Sequence, residues 1–250
     1  MVSLENLTIK DRYLLIKKIG EGSFGEVYLA IDNVKGNYLA VKCESADASH
    51  PRILYESTVL QQLKGCKGIA KHHSHGYMKS KGICFMITEF LGPTLEDIFD
   101  ICGRQFSLKT TCMVFIQMLQ LMRQLHERNY IHRDIKPDNF LFGYNNRSNQ
   151  IFAVDFGLAK KYRTHEGHIP FTKKTVLTGT ARYASHNAHK GYELSRRDEL
   201  QAVGLMILNF VIGSLPWDEI YSSDYTQLFS TIGKMKELEE VLKICEPLPP

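Results

Sequence analysis

The chain has 250 residues, enough for one large domain or two packed lobes with a real core, and its 44% hydrophobic and 23% charged residues are ordinary for a soluble globular enzyme. A net charge of +4 suits an anionic small molecule or a phosphorylated partner but falls short of a nucleic-acid binder, and six scattered cysteines without a C-x-x-C pair argue against a disulfide framework or zinc site. The polar start "MVSLENLTIKDRY" holds no apolar signal core and no stretch reaches the roughly 18 apolar residues of a membrane span, so a soluble protein of the cytoplasm, and of the nucleus as well, is expected.

In chain order, the first part reads as strands and turns. "YLLIKKIGEGSFGEVYLAI" has β-branched and aromatic runs broken by Gly20, Gly22 and Gly25, and "KGNYLAVKCE" follows a Gly-Asn turn signal. "HPRILYESTVLQQLKG" reads as a helix, with Pro51 near its first turn, Ile53, Leu60 and Leu63 on one face, and Gly65 past its end. "KHHSHG" (His72, His73, His75) reads as a loop without further metal ligands, and "GICFMITEFLGP" as a strand closed by Gly92-Pro93. The character then changes. Ser107 is a plausible cap for a long helix to about Arg128 with Phe115, Met118, Leu119, Met122 and Leu125 inward, and "LQAVGLMILNFVIG" reads as a buried helix from Leu200 to Gly213. The expected fold is α+β, with a strand-rich lobe over about 1–89, a hinge at 89–92 and a helical lobe over 93–250.

Glycines spaced as in "IGEGSFGEV" let backbone N–H groups approach phosphate oxygens. A dinucleotide fold would need a helix directly afterwards, whereas "EVYLAI" is a strand, so a hairpin lid over a nucleotide is favoured. Lys42 shares a strand face with Tyr38 and Ala40. Glu56 falls on the apolar face of its helix, where an ionised carboxylate needs a cation, and Lys42 is the partner expected. A lysine held by a glutamate beneath a glycine hairpin grips α- and β-phosphates.

"YIHRDIKPDNFLF" packs six polar groups into an apolar run. Asp134 would accept or orient the proton of a substrate hydroxyl, Lys136 would lie against the transferred phosphoryl group, and Asn139 would offer an amide oxygen to a hard cation. His132 and Arg133 hold the loop in shape. In "IFAVDFG", Asp155 ends an apolar strand, Gly157 frees the backbone for a turn, and the carboxylate with Asn139 would hold magnesium.

This ordered set, "GEGSFGEV", Lys42, Glu56, "HRDIKPDN" and "DFG", resembles the eukaryotic protein kinases over essentially the whole chain, and Lys136 resembles the serine/threonine branch. "LGPTLEDIF", "DFGLAKKYR", "HIPF", "LTGTARYAS", "SRRDEL" and "GSLPW" are similar to the casein kinase 1 family. The resemblance implies one kinase domain over 1–250, monomeric, with a small antiparallel sheet and one regulatory helix ahead of a helical lobe. It implies ATP and Mg2+ as cofactors, activity without activation-loop phosphorylation, and protein substrates with acidic or phosphorylated residues upstream of the target. ATP contacts would come from Ile19, Gly20, Glu21, Gly22, Ser23, Phe24, Gly25, Val27, Ala40, Lys42, Glu56, Thr88, Glu89, Leu91, Leu141 and Asp155, with Thr88 as a small gatekeeper and Glu89 to Leu91 as the hinge. Arg182 with Gly213 and Ser214 matches the family's anion site, and Asp198 the residue that caps the catalytic loop.

Two departures stand out. "DEIYSSD" follows "LPW" where the family offers lysine, which weakens the anion site unless Lys173 and Lys174 supply the charge. After "KICEPLPP" the chain stops a couple of helices before the family's catalytic domain would, so the second lobe is expected to be short, from a truncated chain or a minimal kinase. The alternative to an active kinase is a nucleotide-binding pseudokinase scaffold, which has no need to keep Lys42, Asp134, Asn139 and Asp155 together.

Overall fold

The computed structural model describes residues 3–22, 25–46, 52–173 and 177–248, so Ser23, Phe24, Pro51 and Lys174 lie outside the described residues. The chain forms two compact units, Met1–Gly92 with Phe142–Gly157, and Pro93–Leu141 with Leu158–Pro250.

The first unit is built on an antiparallel sheet of β1 (Thr8–Ile9), β2 (Tyr13–Gly22), β3 (Gly25–Asp32), β4 (Tyr38–Ser45), β5 (His72–Met78) and β6 (Ile83–Glu89), in the order β1-β2-β3-β4-β6-β5. Period-two alternation sends Tyr28 and Ala30 of β3 and Leu39, Val41 and Cys43 of β4 into one core with Leu15, Phe85 and Ile87. The opposite face is left for other work. The histidine run, expected as a loop, is strand β5, because it extends the sheet by pairing with β6. Helix α1 (Arg52–Gln62) buries Ile53, Glu56, Val59 and Leu60, and Gly65 beyond its end adopts φ +87°.

The second unit is mainly helical. Helix α2 (Leu95–Ile101) starts in a capping box between Thr94 and Asp97. Helix α3 (Leu108–Glu127) starts where Ser107 Oγ accepts from Thr110 N at 3.2 Å, as its sequence leads one to expect. Its buried stripe is Val114, Met118, Leu121, Met122 and Leu125, while Leu119 is exposed, so the inward face is rotated from the expected one. After the short α4 (His186–His189), helix α5 (Arg196–Ile212) begins four residues before Leu200. Asp198 Oδ2 accepts from Ser195 N at 2.8 Å and caps that earlier start, and Gly213 ends the helix at φ +88°. Phe99, Phe106 and Phe210 pack ring on ring with centroids 4.9–5.2 Å apart. Helices α6 (Tyr225–Met235) and α7 (Leu238–Cys245) complete the unit. Among the described residues, no helix is long and apolar enough to cross a membrane.

Candidate active site

In the first unit, strand register assembles a continuous surface. Val27 lies opposite both Gly20 and Lys42, and Ala40 lies opposite both Leu29 and Thr88, so these side chains share the sheet face turned away from the core. Lys42 Nζ meets Glu56 Oε2 at 2.7 Å and Asp155 Oδ1 at 2.8 Å. Glu56 is 2% exposed, and its other oxygen accepts from Phe156 N at 3.1 Å. Burial opposes the charge on Lys42, but the carboxylates of Glu56 and Asp155 outweigh it and hold the ammonium above its ordinary pKa. Burial likewise pushes the Glu56 carboxyl up, against the pull of Lys42 and the Phe156 N–H. The result is one lysine locked between two carboxylates, and Asp155 keeps 33% of its side chain open.

The turn carrying Asp155 differs from expectation. The left-handed residue is Asp155 itself, at φ +61°, and not Gly157. A non-glycine residue held there stores strain of order 1–3 kcal/mol, which is typical of functional positions. The three glycines of the hairpin also separate. A Cβ on Gly25, at φ +148°, would stand 2.2 Å from Cys43 O, so the close approach of β3 and β4 demands glycine there. A Cβ on Gly22 would meet nothing within 4 Å, so packing gives no reason for that glycine. Glu21 pairs with Lys18 at 2.6 Å on the surface, Ile19 is exposed, and Leu91 is buried. The Glu89 carboxylate is engaged by Arg147 and accepts from Lys71 N at 2.8 Å.

In the second unit, Asp134 is buried and held from several sides. Oδ1 accepts from Thr180 N at 2.9 Å and Thr180 Oγ1 at 2.7 Å, Oδ2 accepts from Asn139 Nδ2 at 3.1 Å, and Lys136 Nζ stands 3.7 Å away. Asn139 Nδ2 also donates to Asp134 O at 2.9 Å, which commits its amide nitrogen to the loop and leaves the carbonyl oxygen as the atom suited to a cation. Gly179, at φ +87°, brings Thr180 in; a Cβ there would be 2.3 Å from Arg133 O. Leu141, the expected adenine contact, is half-buried.

The catalytic-loop cap is corrected by one residue. Asp198 accepts from Ser185 Oγ at 2.7 Å and from Ser195 N, so it serves its own helix start. Glu199 anchors the loop: Oε1 accepts from His132 N and, at 2.9 Å, from Arg133 N, while Oε2 lies 2.8 Å from His126 Nε2. Sequence gave one signal for it, an acidic residue in the first turn of an otherwise apolar helix. Arg133, at φ +70°, donates from Nε to Leu158 O at 2.6 Å. Buried Glu193 lies 4.0 Å from Arg133 Nη1 and 3.1 Å from Lys160 Nζ. The sequence reading missed Glu193 altogether, since nothing in "GYELS" marks it. His132 is fully buried, in keeping with a role in loop shape.

The expected anion site is changed by its neighbour. Arg182 presents Nε to Asp218 Oδ1 at 2.8 Å and Nη2 to Asp218 Oδ2 at 2.6 Å, a bidentate pair that fills its guanidinium fork. Leu215 N donates to the same Oδ2 at 2.8 Å and fixes the aspartate. Burial works against the Arg182 charge, and the Asp218 hydrogen bond more than restores it. Gly213 and Ser214 lie at the end of α5, and Lys173 is exposed and bridged to Tyr192.

The first unit thus holds a cation between two carboxylates, and the second holds a carboxylate between hydroxyl, amide and ammonium. Residues 13–246 match the family described as protein kinase domain, and with nearly the whole chain covered the protein belongs to that family.

Proposed function

We propose that this protein kinase is of the serine/threonine type, similar to casein kinase 1, with a single kinase domain over 1–250 that works as a monomer in the cytoplasm and nucleus. In this reading Lys42, steadied by Glu56, pairs with the α- and β-phosphates of ATP, and Ile19, Val27, Ala40, Thr88, Leu91 and Leu141 wall the adenine. The hairpin residues Gly20 to Gly25 cover the phosphates. Asp134 orients the substrate hydroxyl and accepts its proton as the oxygen attacks the γ-phosphorus and the bond to the β,γ-bridging oxygen breaks. Lys136 offsets charge on the transferred group.

In the same reading Asp155 and Asn139 would each offer an oxygen donor to magnesium, a hard cation suited to oxygen ligands. When bound, the ion neutralises phosphate charge. The Glu193 carboxylate beside Arg133 and Lys160 supports activity without activation-loop phosphorylation, since it supplies the anion those cations would otherwise seek.

The observation that carries the serine/threonine reading is Lys136 standing 3.7 Å from Asp134. The proposed substrates are proteins with acidic or phosphorylated residues upstream of the target, and Asp218 must yield Arg182 before a phosphate can use it. Radiolabelled ATP with casein and with matched peptides, primed and unprimed, tests both parts. Label on serine or threonine is expected; label confined to tyrosine overturns the type, and equal rates on the two peptides remove the priming preference.

A further inference from the structure

Lys236 closes α6, yet its side chain is almost entirely buried, at 1% exposure. Its Nζ donates to Ala181 O at 2.7 Å, Arg182 O at 2.9 Å and Ala184 O at 2.9 Å, and stands 4.8 Å from the centre of the Trp217 ring. An ammonium has three protons and no acceptor, so three carbonyls satisfy it completely, whereas a neutral amine has only two protons to give. The surroundings are built to receive it. A Cβ on Gly233 would be 2.7 Å from His189 Cβ, so glycine lets α6 close on α4. His189 Nε2 lies 3.1 Å from Ala181 O and 3.2 Å from Lys236 Nζ, and Trp217 Nε1 donates to Arg182 O at 2.9 Å.

The clamped residues follow directly on Thr180, whose N–H and hydroxyl both bond Asp134 Oδ1. We infer that Lys236 is a positioning residue for phosphoryl transfer: its ammonium fixes the backbone of Ala181 to Ala184 and thereby holds Thr180 on Asp134. The inference rests on Asp134 being the base. Burial draws the Lys236 pKa down to about 7 against the pull of Asp218, so the ammonium is lost within reach of ordinary assays. The other titratable and charged groups around it are His189, with His186 on Gly233 O at 2.7 Å, and the Arg182–Asp218 pair.

The test compares wild type, Lys236→Met, Thr180→Val and the double variant in steady-state transfer, with ATP affinity measured by direct titration and folding by thermal melting. Each single change is expected to lower kcat by at least about tenfold with ATP affinity within about twofold, and the double variant to be no slower than the worse single, because both cut one linkage. Wild-type kcat is expected to fall as pH rises above about 7, and that limb to be missing from Thr180→Val. Additive losses, or a Lys236→Met enzyme whose folded fraction keeps wild-type kcat, overturn the inference. Should Lys236→Met fail to fold, Thr180→Val decides: a folded Thr180→Val enzyme with wild-type kcat overturns the inference, because the proposed linkage runs through Thr180. Transfer that survives Asp134→Asn would instead strike at the base assignment itself.

Discussion

The two charged sets solve opposite problems. In the first unit a single cation, Lys42, is trapped between Glu56 and Asp155, and the environment strengthens its charge. In the second unit an anion, Asp134, is held mostly by neutral donors, two from Thr180 and one from Asn139, with Lys136 farther off. In the proposed reading Lys42 grips phosphate and must stay charged whether or not ligand is bound, so close ion pairing would serve it. Asp134, as the proposed base, would have to take a proton, which three ion pairs would make costly; hydrogen bonds would orient it at lower electrostatic expense. The contrast extends to the supports, a buried glutamate on α1 in one case and Glu199 and Lys236 in the other.

Replacing Asp134 strikes this contrast hardest. Asp134→Asn keeps the shape but not the proton acceptor, and kcat is expected to drop by about 10²–10⁴ with nucleotide affinity unchanged, read by label transfer and direct titration of ATP. A loss of ATP binding as large as the loss of rate would mean the two sets do not divide the labour. Next comes Lys42→Met. It leaves Glu56 and Asp155 facing each other without a cation, and removing one partner of a buried pair costs about 3–5 kcal/mol, less here because Lys42 and Asp155 keep some solvent contact. A lowered melting temperature together with weakened ATP binding is expected; a variant as stable as wild type would show that the two carboxylates shed their charge with ease.

The smallest effect concerns pH. Burial and the nearby Lys236 ammonium pull the His189 pKa down to about 4, so the folded state keeps it neutral while an unfolded histidine binds a proton below about 6.5. The unfolded state therefore holds more protons between these values, and stability contributed by this group is lost as pH falls from about 6.5 through 4. Denaturant titrations across that window should show the fall, and His189→Gln should flatten part of it by up to about 3 kcal/mol. A variant with an unaltered acid limb would place the sensitivity in the carboxylates of the first unit.

The pairing of Lys42 with Glu56 and the dense polar loop around Asp134 were legible in the residues themselves. Glu56 could be read because a carboxylate on an apolar helix face has few physical explanations, and the "HRDIKPDN" loop because so many polar groups in an apolar run require partners. The histidine strand β5 was misread because its side chains are polar on both faces, and only pairing with β6 reveals it. Glu199 was displaced by one position to Asp198, since two adjacent acids at a helix start look alike until the helix direction sets which one faces the loop.

Sequence alone therefore determined the protein kinase family, the strand-rich beginning, the helical remainder and the pairing of Lys42 with Glu56, because these depend on local periodicity and on side-chain chemistry at short spacing. Tertiary structure alone decided that Asp218 fills the fork of Arg182, that Glu193 meets Arg133 and Lys160, and that Lys236 ties down Ala181, Arg182 and Ala184. Each of these joins groups distant in the chain, and the lysine's acceptors are backbone carbonyls, which every residue carries and no sequence pattern can mark.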